Sequence, residues 1–527
     1  MAQQDDGAGR APVVIVRPTT SVTSGVAVTQ KLVGAAVAFG DILRRTFGPN
    51  GLDKMMYKTN GENAITNDGA RIVADLLVKH PAAKAFVQLA ESQENACGDG
   101  VTGCLLFASE LMKEAGRLLE RGVHPLALVE AYQQSMVHTL EILQRRTIRD
   151  DVLSTLPYIA QTAMVGKSAE AGGFELANML VDALMTVQNS GRPVRAEHVR
   201  MTKRGRDSLQ ETRLIQGMIV EKKFDSERTP KISNPSTVLA LTCPLVIQKS
   251  KRDAEIEIER PDQMLAFLDA EENIIQEKVD VLLASGAKVV FTSKEVDDRI
   301  QHICNDNGIL LVGMMEDDGI EDVAAATGAT LINHLDAVVE ENLGSLQSAL
   351  VEVSEHEDGR RTRLVVDAGT SSGLVTVDVG GGQGAAVEEY IRAMYDALRS
   401  IESVIETPAT LLGGGSFHIA AALHLREIAE SISGRQRLAV EAFARALEAI
   451  PSTLALNAGE DQIDSLLQLR AAHRNQSDSF GVGKDGQIKE ISDVLIPEHT
   501  ISHALQAAVE TTCGLLRVDQ VISSRGD

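Results

Sequence analysis

The sequence predicts a multi-domain α+β protein in which both chain ends build one helical domain and the middle supplies α/β domains inserted into it. Three observations predict this. The chain has 527 residues, more than a single hydrophobic core ordinarily serves, so two or three domains are expected. Near both ends, in 82–93, 104–121 and 436–450, apolar residues recur every three or four positions, the pattern of helices with one buried stripe. Between them lie strand-like runs, 238–247, 287–293 and 308–314, separated by helical stretches.

Taken in order, the opening MAQQDDGAGR lacks the basic start and apolar middle of a signal peptide. Segments 82–93 and 104–121 place Leu, Ala and Phe on single helical faces. Segment 249–282 begins with a charged strand-like piece, EIEIE, and meets Pro261-Asp262, which can start a helix. Met264, Phe267, Leu268, Ile275, Val279 and Leu282 then fall on one stripe, as in a surface helix with a buried face. Segment 436–450, QRLAVEAFARALEAI, is expected to stop at Pro451. There is no repeat of 20 to 50 residues and no low-complexity tract.

Composition narrows the function. Hydrophobic residues make up 44% and mean hydropathy is -0.03, which suits a soluble globular chain. Aromatics are only 3% and Trp is absent, which argues against a base-stacking surface for single-stranded nucleic acid. The net charge of -23, from 74 acidic and 51 basic residues, disfavours nucleic-acid backbones and anionic membranes as partners. The five cysteines are scattered with no Cys-x-x-Cys pair, so neither a zinc knuckle nor a disulfide framework is indicated and a reducing cytoplasm fits. No apolar run approaches the roughly 18 residues that span a membrane. Twelve histidines form no metal-ligand pattern, and His418 and His424 read as packing or surface residues.

Three short turns carry the chemistry. Segment 47–56, FGPNGLDKMM, puts Gly48, Pro49 and Gly51 in a tight turn after a helix. Segment 66–70, TNDGA, is a second turn and presents an acid, Asp68. Segment 98–104, GDGVTGC, precedes a long helix. A glycine-rich turn entering a helix N-terminus aims backbone N–H groups and the helix dipole at an anion, usually phosphate. Asp99 inside that turn is positioned for Mg2+, which takes one or two protein carboxylates alongside phosphate oxygens and water. Each turn alone also reads as a plain connection; their shared order carries the argument. Segment 374–389, LVTVDVGGGQGAAVEE, competes as a strand, glycine turn and helix of the dinucleotide-binding kind, which would suggest a dehydrogenase or kinase. It lacks a Walker lysine and any obvious acid in a following strand.

The order of these blocks, with HPAAKAFVQLA, GVHP (122–125), LLGGGSF (411–417), AFARALEAIPSTLALNAGEDQID (442–464) and LLRVDQVI (515–522), resembles the group II chaperonin family of archaeal thermosomes and eukaryotic cytosolic chaperonins along essentially the whole chain. The resemblance implies a helical equatorial ATP-binding domain from 1–150 and 403–527. It further implies a small α/β intermediate domain from 151–218 and 370–402, and an α/β apical substrate-binding domain, 219–369, with a lid protrusion at about 249–280. It also implies ATP and Mg2+ as cofactors and a stacked double ring of self or paralogous subunits. That ring would enclose unfolded polypeptides in the cytoplasm, with no nucleic-acid or membrane partner.

By the same resemblance, Gly48 and Pro49 line the nucleotide and Asp99 binds Mg2+. Gly100, Val101, Thr102 and Gly103 wrap the phosphates, and Gly414 lies beside the nucleoside. Asp68 is the acid near the γ-phosphate and attacking water, Lys167 senses the γ-phosphate, and Glu388 is the water-orienting acid of the intermediate domain. The chain departs from the family at several of these places. Val101 and Gly103 replace two residues with hydroxyls, Glu388 stands for an Asp, His418 lies near a Glu position, and Ile496 replaces an acid at the ribose. A lost hydrogen bond to a charged group is worth roughly 1.5–3 kcal/mol. A second reading follows from these departures: a degenerate chaperonin-like scaffold or assembly subunit with weak or no ATP hydrolysis.

Overall fold

A computed structural model of the chain describes residues 20–57, 63–78, 80–205, 208–224, 228–247, 261–356, 359–370, 372–381, 384–475 and 477–524. The first helices are α1 (Val26–Arg44), α2 (Gly69–Asp75), α3 (Pro81–Cys97), α4 (Val101–Glu120) and α5 (Pro125–Arg146). The middle of the chain contributes α6 (Leu156–Met164), α7 (Gly173–Asn189), α8 (Pro261–Ala284), α9 (Asp298–Asp306), α10 (Asp317–Thr327) and α11 (Ala385–Glu406). The last part adds α12 (Ser416–Ser431), α13 (Arg435–Asn457), α14 (Gln462–Asn475) and α15 (Glu498–Leu516). The chain divides into two compact units, one made of Met1–Arg149 with Ala409–Asp527 and the other of Asp150–Pro408.

The first unit is built from both chain ends, and its helices start where local chemistry says they should. α3 and α5 each begin His-Pro. The proline presets the helical φ at the first position, and the histidine Nδ1 accepts the N–H two residues on, at 3.2 Å in both cases. Phe86, Leu105, Leu111, Phe107, Tyr132 and Phe443 meet in one apolar core. Phe443 sits edge-on to both Phe107 and Tyr132, with centroids 5.5 and 5.6 Å away. Buried carboxylates stitch its margins: Glu114 accepts from Arg445 (2.7 Å) and Arg117, and Glu448 from Arg426 (2.6 Å) and Arg470 (2.7 Å). Strand Thr20–Ser24 pairs antiparallel with Gln520–Ser524.

α13 corrects one expectation, because it runs through Pro451 to Asn457. A proline inside a helix forfeits one backbone bond. Here the turns beyond it are held by other means. Pro451, Thr453 and Ala455 are buried, Thr453 donates to Ala449 O at 2.7 Å, and Arg44 of α1 donates to Thr453 Oγ1 at 3.1 Å.

In the second unit, strands Ser236–Leu241, Val289–Thr292, Leu310–Val312 and Leu331–Ile332 run parallel, with α8, α9 and α10 as the intervening crossovers, and Gly344–Leu346 adds an antiparallel fifth strand beside Ser236–Leu241. These strands are shorter than the sequence runs suggested, and they are buried almost throughout, as expected of parallel strands covered on both faces. An antiparallel sheet joins Ser348–His356, Gly359–Asp367 and Gly217–Glu221. A third, small sheet has Val375–Val379 at its centre, parallel to Val199–Lys203 and antiparallel to Arg213–Ile215. That mixed three-stranded sheet is not a doubly wound dinucleotide fold. The fully buried Asp378 of its central strand is gripped by Arg363 through two bonds of 2.6 Å and by Arg213 at 3.0 Å.

α8 divides along its length. Ile275, Val279 and Leu282 are buried in the unit's core, whereas Met264, Leu265, Phe267 and Leu268 are exposed. The strand-like EIEIE and the first part of the protrusion, 249–260, lie outside the described residues.

Candidate nucleotide cradle

Three turns from distant parts of the first unit meet at the start of α4. The turn at Gly48 has φ 83°, and a Cβ there would collide with Leu454 of α13. Gly51 closes the turn through its N–H to Gly48 O at 2.9 Å, and Asn457 Nδ2 donates to both Arg44 O and Phe47 O at 2.8 Å. The end of α1 is therefore pinned to α13. Asp68 caps α2, its Oδ1 accepting from Ala70 N–H at 3.0 Å. The next residue, Gly69, lies so close to α4 that a Cβ would come within 3.2 Å of Thr102 N. A Cβ on Gly103 would touch the Phe47 ring at 3.4 Å.

α3 ends in a left-handed Gly98 (φ 67°) and α4 begins after a left-handed Gly100 (φ 82°), with Asp99 half-buried between them. Among the described residues no side chain caps the start of α4. Its backbone ladder starts with Cys104 N–H to Gly100 O at 3.0 Å, so the N–H groups of Val101, Thr102 and Gly103 precede the ladder and can receive an anion. Val101 itself is buried in the helical core. As a valine it can offer a ligand only its backbone.

Behind the loop stands a residue the sequence reading missed. Gln93 is fully buried on the apolar stripe of α3, and its Nε2 donates to Asp99 O at 3.0 Å and to Thr500 O at 3.2 Å. Its Oε1 is 2.8 Å from Nδ1 of His503 on α15. Burial and the neighbouring His499 hold His503 below the usual histidine pKa; because Gln93 Nε2 donates to two carbonyls, its Oε1 is the acceptor and His503 Nδ1 the donor. The signal was present: a lone amide in phase with Phe86, Leu89, Ala90 and Cys97.

Gly413, Gly414 and Gly415 form another tight stretch. Gly414 has φ 61° and its carbonyl accepts from Val482 N–H at 2.8 Å; Gly415 has φ 75° and abuts the Pro451 ring. Ile496 pairs with Leu411 across a two-stranded ribbon and stands beside Gly413. His418, in the first turn of α12, is packed so that desolvation lowers its pKa to about 4. That is a packing role, as expected from sequence.

In the second unit, Lys167 Nζ lies 2.7 Å from Asp396 Oδ2, both side chains largely buried. Asp396 was not singled out from sequence. Glu388, two helical turns earlier on α11, is instead exposed and pairs with Lys203 at 3.1 Å.

Among the described residues no three or more His, Cys, Asp or Glu gather to hold a metal. The donor set suits an ion that keeps water and phosphate oxygens and needs a single carboxylate such as Asp99. Among the described residues, too, no helix is long and apolar enough to cross a membrane.

Fold and cradle together define a large multi-domain protein of mixed helix and sheet whose helical part gathers glycine turns at the start of a long helix. Comparison with known proteins makes this specific. Residues 39–525 match the TCP-1/cpn60 chaperonin family. The chain is 35% identical over 519 residues to thermosome subunit beta of Methanothermobacter thermautotrophicus and 36% identical over 524 residues to thermosome subunit beta of Archaeoglobus fulgidus, covering 98% of this chain and 95% of each relative. It is 35% identical over 499 residues to the thermosome subunit of Methanopyrus kandleri, covering 93% of this chain and 91% of that relative. The chain belongs to the TCP-1/cpn60 chaperonin family; it is a group II chaperonin subunit that serves protein folding.

Proposed function

We propose that the chain is an ATP-dependent subunit of a cytoplasmic, stacked double-ring chaperonin, alone or with paralogous subunits, that encloses unfolded polypeptide. The observation that carries the reading is the meeting of the Gly48, Gly69 and Gly100 turns around the uncapped start of α4. In it, Gly48, Pro49 and Gly414 line the nucleotide, the amides from Gly100 to Gly103 receive its phosphates, and Asp99 holds Mg2+. Bound Mg2+ would offset phosphate charge. Asp68 would orient the attacking water and Lys167 would respond to the γ-phosphate. The resemblance assigned the second water-orienting acid to Glu388. The buried Lys167–Asp396 pair and the exposed Lys203–Glu388 pair support moving that role to Asp396.

The proposed domain limits remain 1–150 and 403–527 (equatorial), 151–218 and 370–402 (intermediate), and 219–369 (apical). The exposed apolar end of α8 supports a protrusion that meets other subunits or unfolded chains. Titration of ATP with and without Mg2+ tests the cradle. Wild type is expected to bind in a Mg2+-dependent manner and Asp99→Ala to lose that dependence. Unchanged Mg-ATP affinity in Asp99→Ala would remove Asp99 from the site.

A further inference from the structure

We infer that Gln93, itself tethered by His503, is a positioning residue that fixes where the Asp99 carboxylate points and so governs the Mg2+-dependent part of nucleotide binding. The inference rests on the reading of the cradle as a Mg-ATP site and adds a residue pair to it.

A buried primary amide is costly unless its polar atoms are paired. Gln93 meets that demand with both amide hydrogens and its carbonyl oxygen: Nε2 to Asp99 O, Nε2 to Thr500 O, and Oε1 from His503. Turning the amide over would set its oxygen against two carbonyl oxygens, so its orientation is fixed. The backbone bond falls at the loop's most pliable point, Asp99. It sits between two left-handed glycines, Gly98 and Gly100, the residue type with the greatest backbone freedom, and outside the ladders of both α3 and α4. A Cβ on Gly100 would come 2.7 Å from the Thr500 methyl and 3.3 Å from Gln93 Nε2. The chain therefore passes directly over this amide before entering α4.

The two halves of the cradle are held by different means. The phosphate-facing amides belong to α4 and are fixed by its ladder, beginning with Cys104 N–H to Gly100 O. The Asp99 peptide is fixed from behind by Gln93. Loss of the Gln93 bonds should therefore loosen the metal's carboxylate and leave the anion-binding amides in place. A purely structural role would weaken both together.

The test is binding of a fluorescent ATP analogue to the full-length protein, titrated with Mg2+ and repeated in EDTA. Gln93→Met keeps length and volume but makes no hydrogen bond. It is expected to raise the half-saturating Mg2+ concentration about tenfold, the scale of one or two lost hydrogen bonds, while affinity in EDTA changes less than about twofold. His503→Ala is expected to shift the Mg2+ requirement about threefold, and His503→Gln, which can still donate to Gln93, to restore it. If Gln93→Met does not fold, the His503 pair decides alone. Wild-type Mg2+ dependence in the folded variants, or parallel losses with and without Mg2+, overturns the inference. A wild-type protein with no Mg2+-dependent nucleotide binding, or one whose Asp99→Ala variant keeps it, overturns the cradle reading first and this inference with it.

Discussion

Gly100→Ala should damage the protein more than its small size suggests, and Gly122→Ala supplies the control. Both glycines are left-handed, with φ 82° and 78°. An L-residue pays about 1–2 kcal/mol for that conformation, partly offset by about 0.4–1 kcal/mol because alanine restricts the unfolded chain. Gly122 has nothing within 4 Å of a new Cβ, so Gly122→Ala should cost about 1 kcal/mol or less. At Gly100 the new atom would lie 2.7 Å from the methyl of the buried, β-branched Thr500, which has no flexible end to swing aside. Overpacking of this kind adds about 1–3 kcal/mol, giving a total of about 1–4 kcal/mol. Thermal unfolding followed by far-UV circular dichroism reads the difference, and Mg-ATP titration reads its effect on the cradle. Equal losses for the two variants, with Mg-ATP affinity intact in Gly100→Ala, would show that the chain does not pass as closely over Thr500 and Gln93 as the geometry requires.

Asp396→Asn should lower ATP turnover about 10²–10⁴-fold, the range for a lost general base, whereas Glu388→Gln should change it less than about threefold because an exposed pair is worth at most about 1 kcal/mol; single-turnover hydrolysis by ring-assembled protein distinguishes them, and the reverse order would return the role to Glu388. Removing Lys167 alone, as Lys167→Met, should destabilise the protein by about 3 kcal/mol, because it leaves Asp396 buried without this partner; pairing it with Asp396→Leu should recover most of the loss in denaturant titrations. His418 titrates near 4 in the folded protein, below its unfolded value of 6.5, so between those limits the unfolded state binds more protons and stability falls as pH drops from about 6.5 to 4. The effect should reach about 1–3 kcal/mol, and His418→Gln should flatten that part of the Tm-against-pH curve.

Much of the architecture is legible in the residues because its signals are local. The periodic stripes of α3, α4 and α13 needed only spacing, and Pro261-Asp262 marked the start of α8. The single stripe read along α8 is buried only in its second half, with Ile275, Val279 and Leu282 inside and Met264 and Phe267 exposed. Pro451 misled because its contact with Gly415, and the Arg44 bond to Thr453 in the next turn, come from residues far along the chain. The site was half-legible for the same reason. Its glycine turns announce themselves one by one. That Gly69 abuts Thr102, Gly103 faces Phe47 and Gly48 rests on Leu454 depends on contacts no local pattern encodes. Asp396, to which the proposal moves the second acid's role, lies among the buried residues of α11, while the more conspicuous Glu388 opens the helix beside the glycine turn. Family membership over 98% of the chain does not favour the weak-hydrolysis reading.

The most direct test of the account is protease digestion of a labelled, chemically unfolded client bound to the purified protein, with any natural partner subunits present, before and after Mg-ATP is added. The account predicts that client is cleaved without nucleotide, becomes protected when Mg-ATP is added to wild type, and stays exposed with Asp99→Ala. Equal cleavage with and without Mg-ATP, in preparations that bind the client, would contradict it.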